Sequence, residues 1–329
     1  MIKINSIRGM NDILGTQYKK QEIVKKVFFK LIKMFNYKPL ATPIMEYSEV
    51  FNRTLGKDSD VVNKEMYTFK DNSSDSLTLR PEGTASIARA IISNSLTQNI
   101  PLKFYYSGPM FRYERPQKGR FRQFHQLGIE IIGNGGLYQD CESIVIASKY
   151  LDKINALKSL DLRINTLGNL SSRKNYINAL SNFLESNKNK LSSQSKVRLN
   201  SNPLRILDSK EKQDIDLCKK APIIYDFLSE DEINYFDNIK KILHSRKIKY
   251  KQDPFLVRGL DYYNQTTFEF TYKNNNKFAV LAGGRYDNLV KELGGPSLAG
   301  VGWASGIERL IDFVELSKDK EITVALIPL

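Results

Sequence analysis

Residues 108–130 read Gly108-Pro109-Met110-Phe111-Arg112-Tyr113-Glu114-Arg115-Pro116-Gln117-Lys118-Gly119-Arg120-Phe121-Arg122-Gln123-Phe124-His125-Gln126-Leu127-Gly128-Ile129-Glu130. The run is dense in polar groups, yet strand-like residues flank its basic centre on both sides, at 103–107 and 128–132. The pattern predicts a strand, a basic loop and a returning strand, with Arg112 and Gln126 close together at the base of the loop. Side chains alternate along a strand, so Gln126, Gly128 and Glu130 share one face, and Gly128 leaves space between the two polar groups. An arginine fixed on a strand makes a good phosphate clamp, because its planar fork donates two parallel hydrogen bonds. A surface hairpin laced with ion pairs is the plainer reading; four arginines and three glutamines in one run weigh against it.

On the N-terminal side, Ile23, Val27 and Leu31 with Val24, Phe28 and Ile32 form one apolar stripe at helical spacing over 18–35. The lysines around that stripe, Lys19 to Lys33, read as a solvated face. Two short strands are expected at 66–69 and 76–79, joined by a polar turn. Arg80-Pro81-Glu82-Gly83-Thr84 then opens a helix, and a further helix is expected over 140–154.

On the C-terminal side, strands are expected at 255–259, 266–271 and 278–281. A glycine-rich stretch over 294–302 precedes a final helix over about 305–316, and an apolar strand closes the sequence at 322–329. Strands cluster in two separated blocks with few strand–helix–strand repeats. The expected fold class is therefore α+β, an antiparallel sheet flanked by helices. Between 171 and 250 glycine is absent, the periodicity is helical, and 16 basic residues face 10 acidic ones. This span reads as a helical module inserted into a main domain formed by 1–170 and 251–320.

The 329 residues carry 50 basic and 36 acidic side chains, a net +14 that favours polyanionic partners. Two histidines and two cysteines, Cys141 and Cys218, argue against a zinc site, a Ser-His-Asp mechanism and a disulfide framework. No stretch approaches the ~20 apolar residues of a membrane span. With no signal-peptide core at the N-terminus either, the expected location is the cytoplasm.

The 108–130 run resembles motif 2 of class II aminoacyl-tRNA synthetases, in detail the version found in histidyl-tRNA synthetases. Other elements resemble that family in the same order: Ile7 to Asp12 its N-terminal element, and Arg80 to Thr84 its Arg-Pro-Glu-Gly-Thr element. Arg258-Gly259-Leu260-Asp261-Tyr262-Tyr263 resembles its histidine signature, and Gly302 to Leu310 resembles motif 3. Pro43 falls where motif 1 carries a dimer-interface proline.

The resemblance implies a histidine–tRNA ligase that joins histidine to the α-phosphate of ATP and passes it to tRNA(His). ATP is a substrate, Mg²⁺ neutralises its phosphates, and the protein works as a homodimer. Two anions must meet in the first step, so preorganised cations lower the barrier. The implied catalytic residues are Arg112 and Arg258, bracketing the α-phosphate. Glu114, Phe124 and Arg309 join them at ATP, Arg309 stacking on adenine opposite Phe124. Glu130 and Tyr263 suit the imidazole nitrogens, with Tyr262 beside them and Tyr286 closing the pocket. Glu82, Thr84 and Gln126 suit the α-amino group. Arg115 and Gln117 on the basic loop are expected at the tRNA acceptor end. No residues are expected to form a protein cage for the metal.

The sequence departs from the family at Trp303 and Ser305, where Phe and an apolar residue are common. Residues 321–329 resemble the opening strand of the family's anticodon-binding domain. The rival reading is a histidine-sensing regulatory subunit of ATP phosphoribosyltransferase, which shares the fold. A sensor has no physical need for Arg112, Glu114, Arg258 or Arg309.

Overall fold

The computed structural model describes residues 4–56, 59–133, 135–273 and 275–316. Its strands are β1 (Lys38–Pro39), β2 (Met45–Tyr47), β3 (Tyr67–Lys70), β4 (Ser76–Leu79), β5 (Leu102–Phe111), β6 (Gln123–Gly133), β7 (Leu160–Thr166), β8 (Lys251–Gln252), β9 (Asn264–Tyr272), β10 (Asn275–Arg285) and β11 (Ala299–Gly306). The main helices are α1 (Gly15–Lys33), α2 (Glu49–Thr54), α3 (Thr84–Ser93), α4 (Leu137–Lys153), α5 (Leu170–Ser186), α6 (Ser193–Ser201), α7 (Lys212–Cys218) and α8 (Glu230–Ser245).

Eight strands form one sheet in the order β1-β5-β6-β11-β10-β9-β7-β8. The six inner strands pair antiparallel throughout; the two-residue edge strands β1 and β8 pair parallel. The α+β antiparallel expectation therefore holds for the body of the sheet. β2, β4 and β3 make a separate small sheet.

The alternation along β6 sets the layers. Leu127, Ile129 and Ile131 point into a core shared with α1, α4 and α8, through Phe28, Ile144 and Phe236. Trp303 of β11 lies in that core, stacked on Tyr150 at 6.0 Å between ring centroids. It therefore shapes packing on the far side of the sheet from Gln126 and Glu130. On their side α3 packs with Tyr106, Tyr262, Tyr263 and Tyr286 in a second core. α3 begins where Glu82 caps it: the carboxylate accepts the backbone N–H groups of Thr84 at 2.8 Å and Ala85 at 2.7 Å.

A third apolar cluster lies within 176–224, around Leu180, Leu184 and Ile206. The last helix of the 171–250 span behaves differently. α8 opens with a Ser229–Glu232 capping box and buries Phe236, Ile239 and Leu243 in the main core against α4. The cluster within 176–224 is thus separate from the core that α8 joins.

Three local expectations change. Residues 255–259 are turn and irregular backbone rather than a strand. The glycine-rich stretch contributes β11, and the helix after it is short, Ile307–Leu310 followed by one 3₁₀ turn. β7 was not among the expected strands. The strand expected at 322–329 lies outside the described residues.

Candidate active site

β5 and β6 run antiparallel from Leu102↔Ile132 to Phe111↔Gln123, and the basic loop 112–122 joins them. At the loop base Arg112 donates from Nε to the Pro81 carbonyl at 2.9 Å. Its guanidinium stands 5.4 Å from the Phe124 ring centroid. Gln126 lies on the same face, and its buried Oε1 has no hydrogen-bond partner. Both line a cavity of about 200 Å³, together with Glu82, Thr84, Glu114 and Phe124. Arg258, Tyr262, Tyr263 and Arg309 line it from the other elements.

Arg258 belongs to the irregular loop before β9. It makes a buried ion pair with Glu269 of β9 and sits 5.1 Å from the Tyr263 ring centroid. Burial works against its charge, but Glu269 and Tyr263 outweigh it and hold its pKa above the ordinary value. Three side chains of the helical module brace this loop. Arg173 donates to the carbonyls of Tyr263 at 2.8 Å and Asp261 at 3.4 Å, Arg205 donates to that of Gly259, and Asn202 donates to the Asp261 carboxylate at 3.1 Å.

Glu130 and Tyr286 lie behind the cavity wall. Thr84 donates from Oγ1 to Glu130 Oε1 at 2.6 Å, and the Tyr286 hydroxyl donates to Oε2. Burial pushes the Glu130 carboxyl up to about 8, against the pull of both donors. Tyr262 donates to Glu82 at 3.5 Å. Glycines open this region. A Cβ at Gly302 would overlap the Glu130 carboxylate, and one at Gly300 the Tyr286 ring. Gly283 lies too close to Gly302 and Trp303 of the neighbouring strand to carry a side chain. The close approaches at these glycines are both to site residues and between strands.

The space expected at Gly128 is filled. Tyr106, directly opposite on β5, lays its ring there, and a Cβ at Gly128 or Gly83 would overlap it. Sequence reasoning missed Tyr106, as it missed Glu269 and Glu308. Glu308 accepts from the His125 backbone N–H and contacts its Nδ1, both at 2.9 Å, tying β6 to the short helix after β11. The glycine pair at 83 and 128 was the available signal for a large ring between them.

Arg309 donates from Nε to the Gly119 carbonyl at 3.0 Å and from Nη1 to that of Ala279, and it lines the same cavity as Phe124. Arg115 and Gln117 lie on the loop outside the 200 Å³ cavity. Gln117 lines a second, larger cavity behind the loop. Lys118 pairs with Asp312 at 3.4 Å.

An antiparallel sheet with an arginine at the base of a basic hairpin loop and a third motif packed onto it defines a class II aminoacyl-tRNA synthetase core. The family model described as histidyl-tRNA synthetase matches residues 9–310. The histidine–tRNA ligase of Gluconobacter oxydans is 44% identical over 323 residues, covering 98% of this chain and 78% of that protein. That of Gluconacetobacter diazotrophicus is 43% identical, covering 100% and 80%. The apo crystal structure of S. aureus histidyl-tRNA synthetase superposes with a TM-score of 0.75 at 38% identity, over 96% of this chain and 75% of that one. A Bacillus halodurans protein named as ATP phosphoribosyltransferase regulatory subunit/histidyl-tRNA synthetase shares the fold, with a TM-score of 0.70 at 23% identity over 96% of this chain and 84% of that one. The chain belongs to the histidyl-tRNA synthetase family.

Proposed function

We propose that this protein activates histidine with ATP and transfers it to tRNA(His), with Arg112 and Arg258 as its catalytic residues. One observation carries the assignment of roles: both arginines face the same cavity as Thr84 and Gln126. A histidine carboxylate oxygen attacks the α-phosphorus, the bond to the β-phosphate breaks, and pyrophosphate leaves. Arg112, held by Pro81, and Arg258, held by Glu269, need no reorganisation to meet the charge that develops there. The terminal hydroxyl of the tRNA then takes the histidyl group.

Glu82, Thr84 and Gln126 receive the substrate's ammonium group. Glu130 reads the imidazole, Tyr286 holds Glu130, and Tyr262 and Tyr263 wall the ring. Phe124 and Arg309 take the adenine once Arg309 leaves the loop carbonyls. Arg115 and Gln117 meet the acceptor end.

Mg²⁺ fits the residues present. Glu114 lines the cavity, its Oε2 ion-paired with Arg120 at 3.1 Å. No group of three or more potential His, Cys, Asp or Glu ligands occurs among the described residues. Mg²⁺ is ordinarily held by one or two carboxylates, substrate phosphate oxygens and water. Glu114 would hold it, and the ion would neutralise phosphate charge.

The catalytic unit is built from 1–169 and 229–316, with 170–228 as the insert. A homodimer through the small sheet accounts for the exposed Met45, Tyr47 and Phe69 beside Pro43. The working compartment is the cytoplasm; Cys141 and Cys218 are free and buried, and no described helix is long and apolar enough to cross a membrane. The sensor reading draws on the shared fold and is disfavoured by Arg112 and Arg258. Histidine-dependent ATP–pyrophosphate exchange by the purified chain is the test. No exchange by folded protein would favour the sensor.

A further inference from the structure

We infer that Arg173 and Arg205 of the inserted span are positioning residues for Arg258: by gripping the backbone of 259–263 they present its guanidinium to the cavity, which makes the insert a working part of histidine activation; this rests on the proposed function. Residues 253–263 lie in no strand, so no sheet ladder fixes the backbone there. Arg258, Leu260 and Tyr262 line the cavity. The carbonyls of Gly259, Asp261 and Tyr263, each one residue further on, accept from the insert instead. Arg173 of α5 serves two of them, at 3.4 Å and 2.8 Å, and Arg205 of the 3₁₀ turn Pro203–Ile206 serves the third. Asn202 adds a bond to the Asp261 carboxylate, which packs on Gly56 with no room there for a Cβ.

Backbone carbonyls away from a ladder need other donors, and the planar fork of a guanidinium can serve two at once. Packing places the same seam beside Arg258. Val257, the residue before it, packs against both the insert's own apolar cluster and the core that holds Tyr262 and Tyr263. Neither Arg173 nor Arg205 is among the residues that line the cavity, so each acts through the loop and not on substrate. Glu269 fixes only the tip of Arg258, whose Nε is buried without a hydrogen-bond partner. The other end of that long side chain is set by the backbone the insert holds. A displacement of about 1 Å at a reacting centre can cost about 10²-fold in rate.

Histidine-dependent ATP–pyrophosphate exchange without tRNA is the assay, so an insert that served only RNA would leave it untouched. Arg173→Ala and Arg205→Ala, tested separately, should each lower kcat about 10–100-fold, with the KM for ATP changed less than about threefold. The loss should shrink to less than about threefold when either change is added to an Arg258→Ala, Glu269→Gln background, which removes the buried pair whole and leaves no guanidinium to position. Arg173→Lys, which keeps a donor for the Tyr263 carbonyl, should recover part of the rate. Exchange within about threefold of the original in either alanine variant overturns the assignment of that arginine. An equal loss in the Arg258→Ala, Glu269→Gln background overturns the inference, since a weakened fold loses rate whether or not Arg258 is present. Should Arg173→Ala not fold, Arg205→Ala, which loses one hydrogen bond to the loop, decides by the same comparison. Absence of exchange in the unsubstituted protein would instead bring down the proposed function itself.

Discussion

Replacing Glu130 by Gln tests how the pocket treats charge. The carboxyl is buried, and its pKa stands at about 8 against an ordinary 4.5, chiefly because burial disfavours the charged form. Between those values the folded protein holds a proton that the unfolded chain has released. Stability is therefore fully present below pH 4.5 and is lost as pH rises through 8. A shift of that size corresponds to about 5 kcal/mol. Gln has no proton to lose and keeps the geometry: Thr84 still donates to Oε1, and the Tyr286 hydroxyl turns to accept from the amide. The melting temperatures of the two ligand-free proteins should converge or cross as pH rises from 4.5 to 9. The original protein should lose about 7 °C relative to Glu130→Gln, taking roughly 1.5 °C per kcal/mol for a chain of this size. Differential scanning calorimetry at several pH values reads this directly. Parallel profiles for the two proteins across that range would refute the argument, because they would mean that Glu130 is already ionised in its buried position.

Arg258→Ala should lower histidine-dependent exchange by about 10²–10³-fold while histidine still binds by calorimetry. It should also destabilise the fold by about 3–5 kcal/mol, by leaving Glu269 buried without its partner. Adding Glu269→Gln should restore stability to urea but not exchange; recovery of both would show that Arg258 acts only through the fold. Asp140→Asn should lower the urea midpoint by an amount equivalent to about 3–5 kcal/mol, because Asp140 is the buried carboxylate paired with Arg285. An unchanged midpoint would mean that Asp287 alone satisfies Arg285. Gly302→Ala should push into the Glu130 carboxylate, raising the histidine KM and costing about 1–3 kcal/mol of stability; normal kinetics would show that β11 yields there.

The sheet face that carries the site was legible in the sequence because period-two alternation is a local property: Gln126, Gly128 and Glu130 stand on one side and Leu127, Ile129 and Ile131 on the other. β7 was legible too, in Leu160, Leu162 and Ile164 alternating with Asp161, Arg163 and Asn165, but it was not read. The loop 255–259 resembles a strand locally, with its apolar and β-branched residues. What decides its shape is remote: Arg173, Arg205 and Asn202 bind the backbone or side chains around 259–263 from the insert. β11 was hidden for the opposite reason. Its glycines depress strand propensity, and they are there because Tyr286 and Glu130 lie across them. Glu269 and Tyr106 escaped notice because their partners, Arg258 in the loop before β9 and Gly128 and Gly83 around the Tyr106 ring, are brought to them only by the fold.

The strand order also has a consequence for synthesis. β6 ends at Gly133, and its second neighbour β11 begins only at Ala299, roughly 170 residues later. At about 5–20 residues per second, the growing chain holds that edge of the β5–β6 hairpin open for roughly 10–30 s. Long-range antiparallel pairing of this kind folds slowly and exposes the nascent chain to association with its neighbours on the ribosome. Gly128 and the charged Glu130 meanwhile make the waiting edge a poor template for a passing strand.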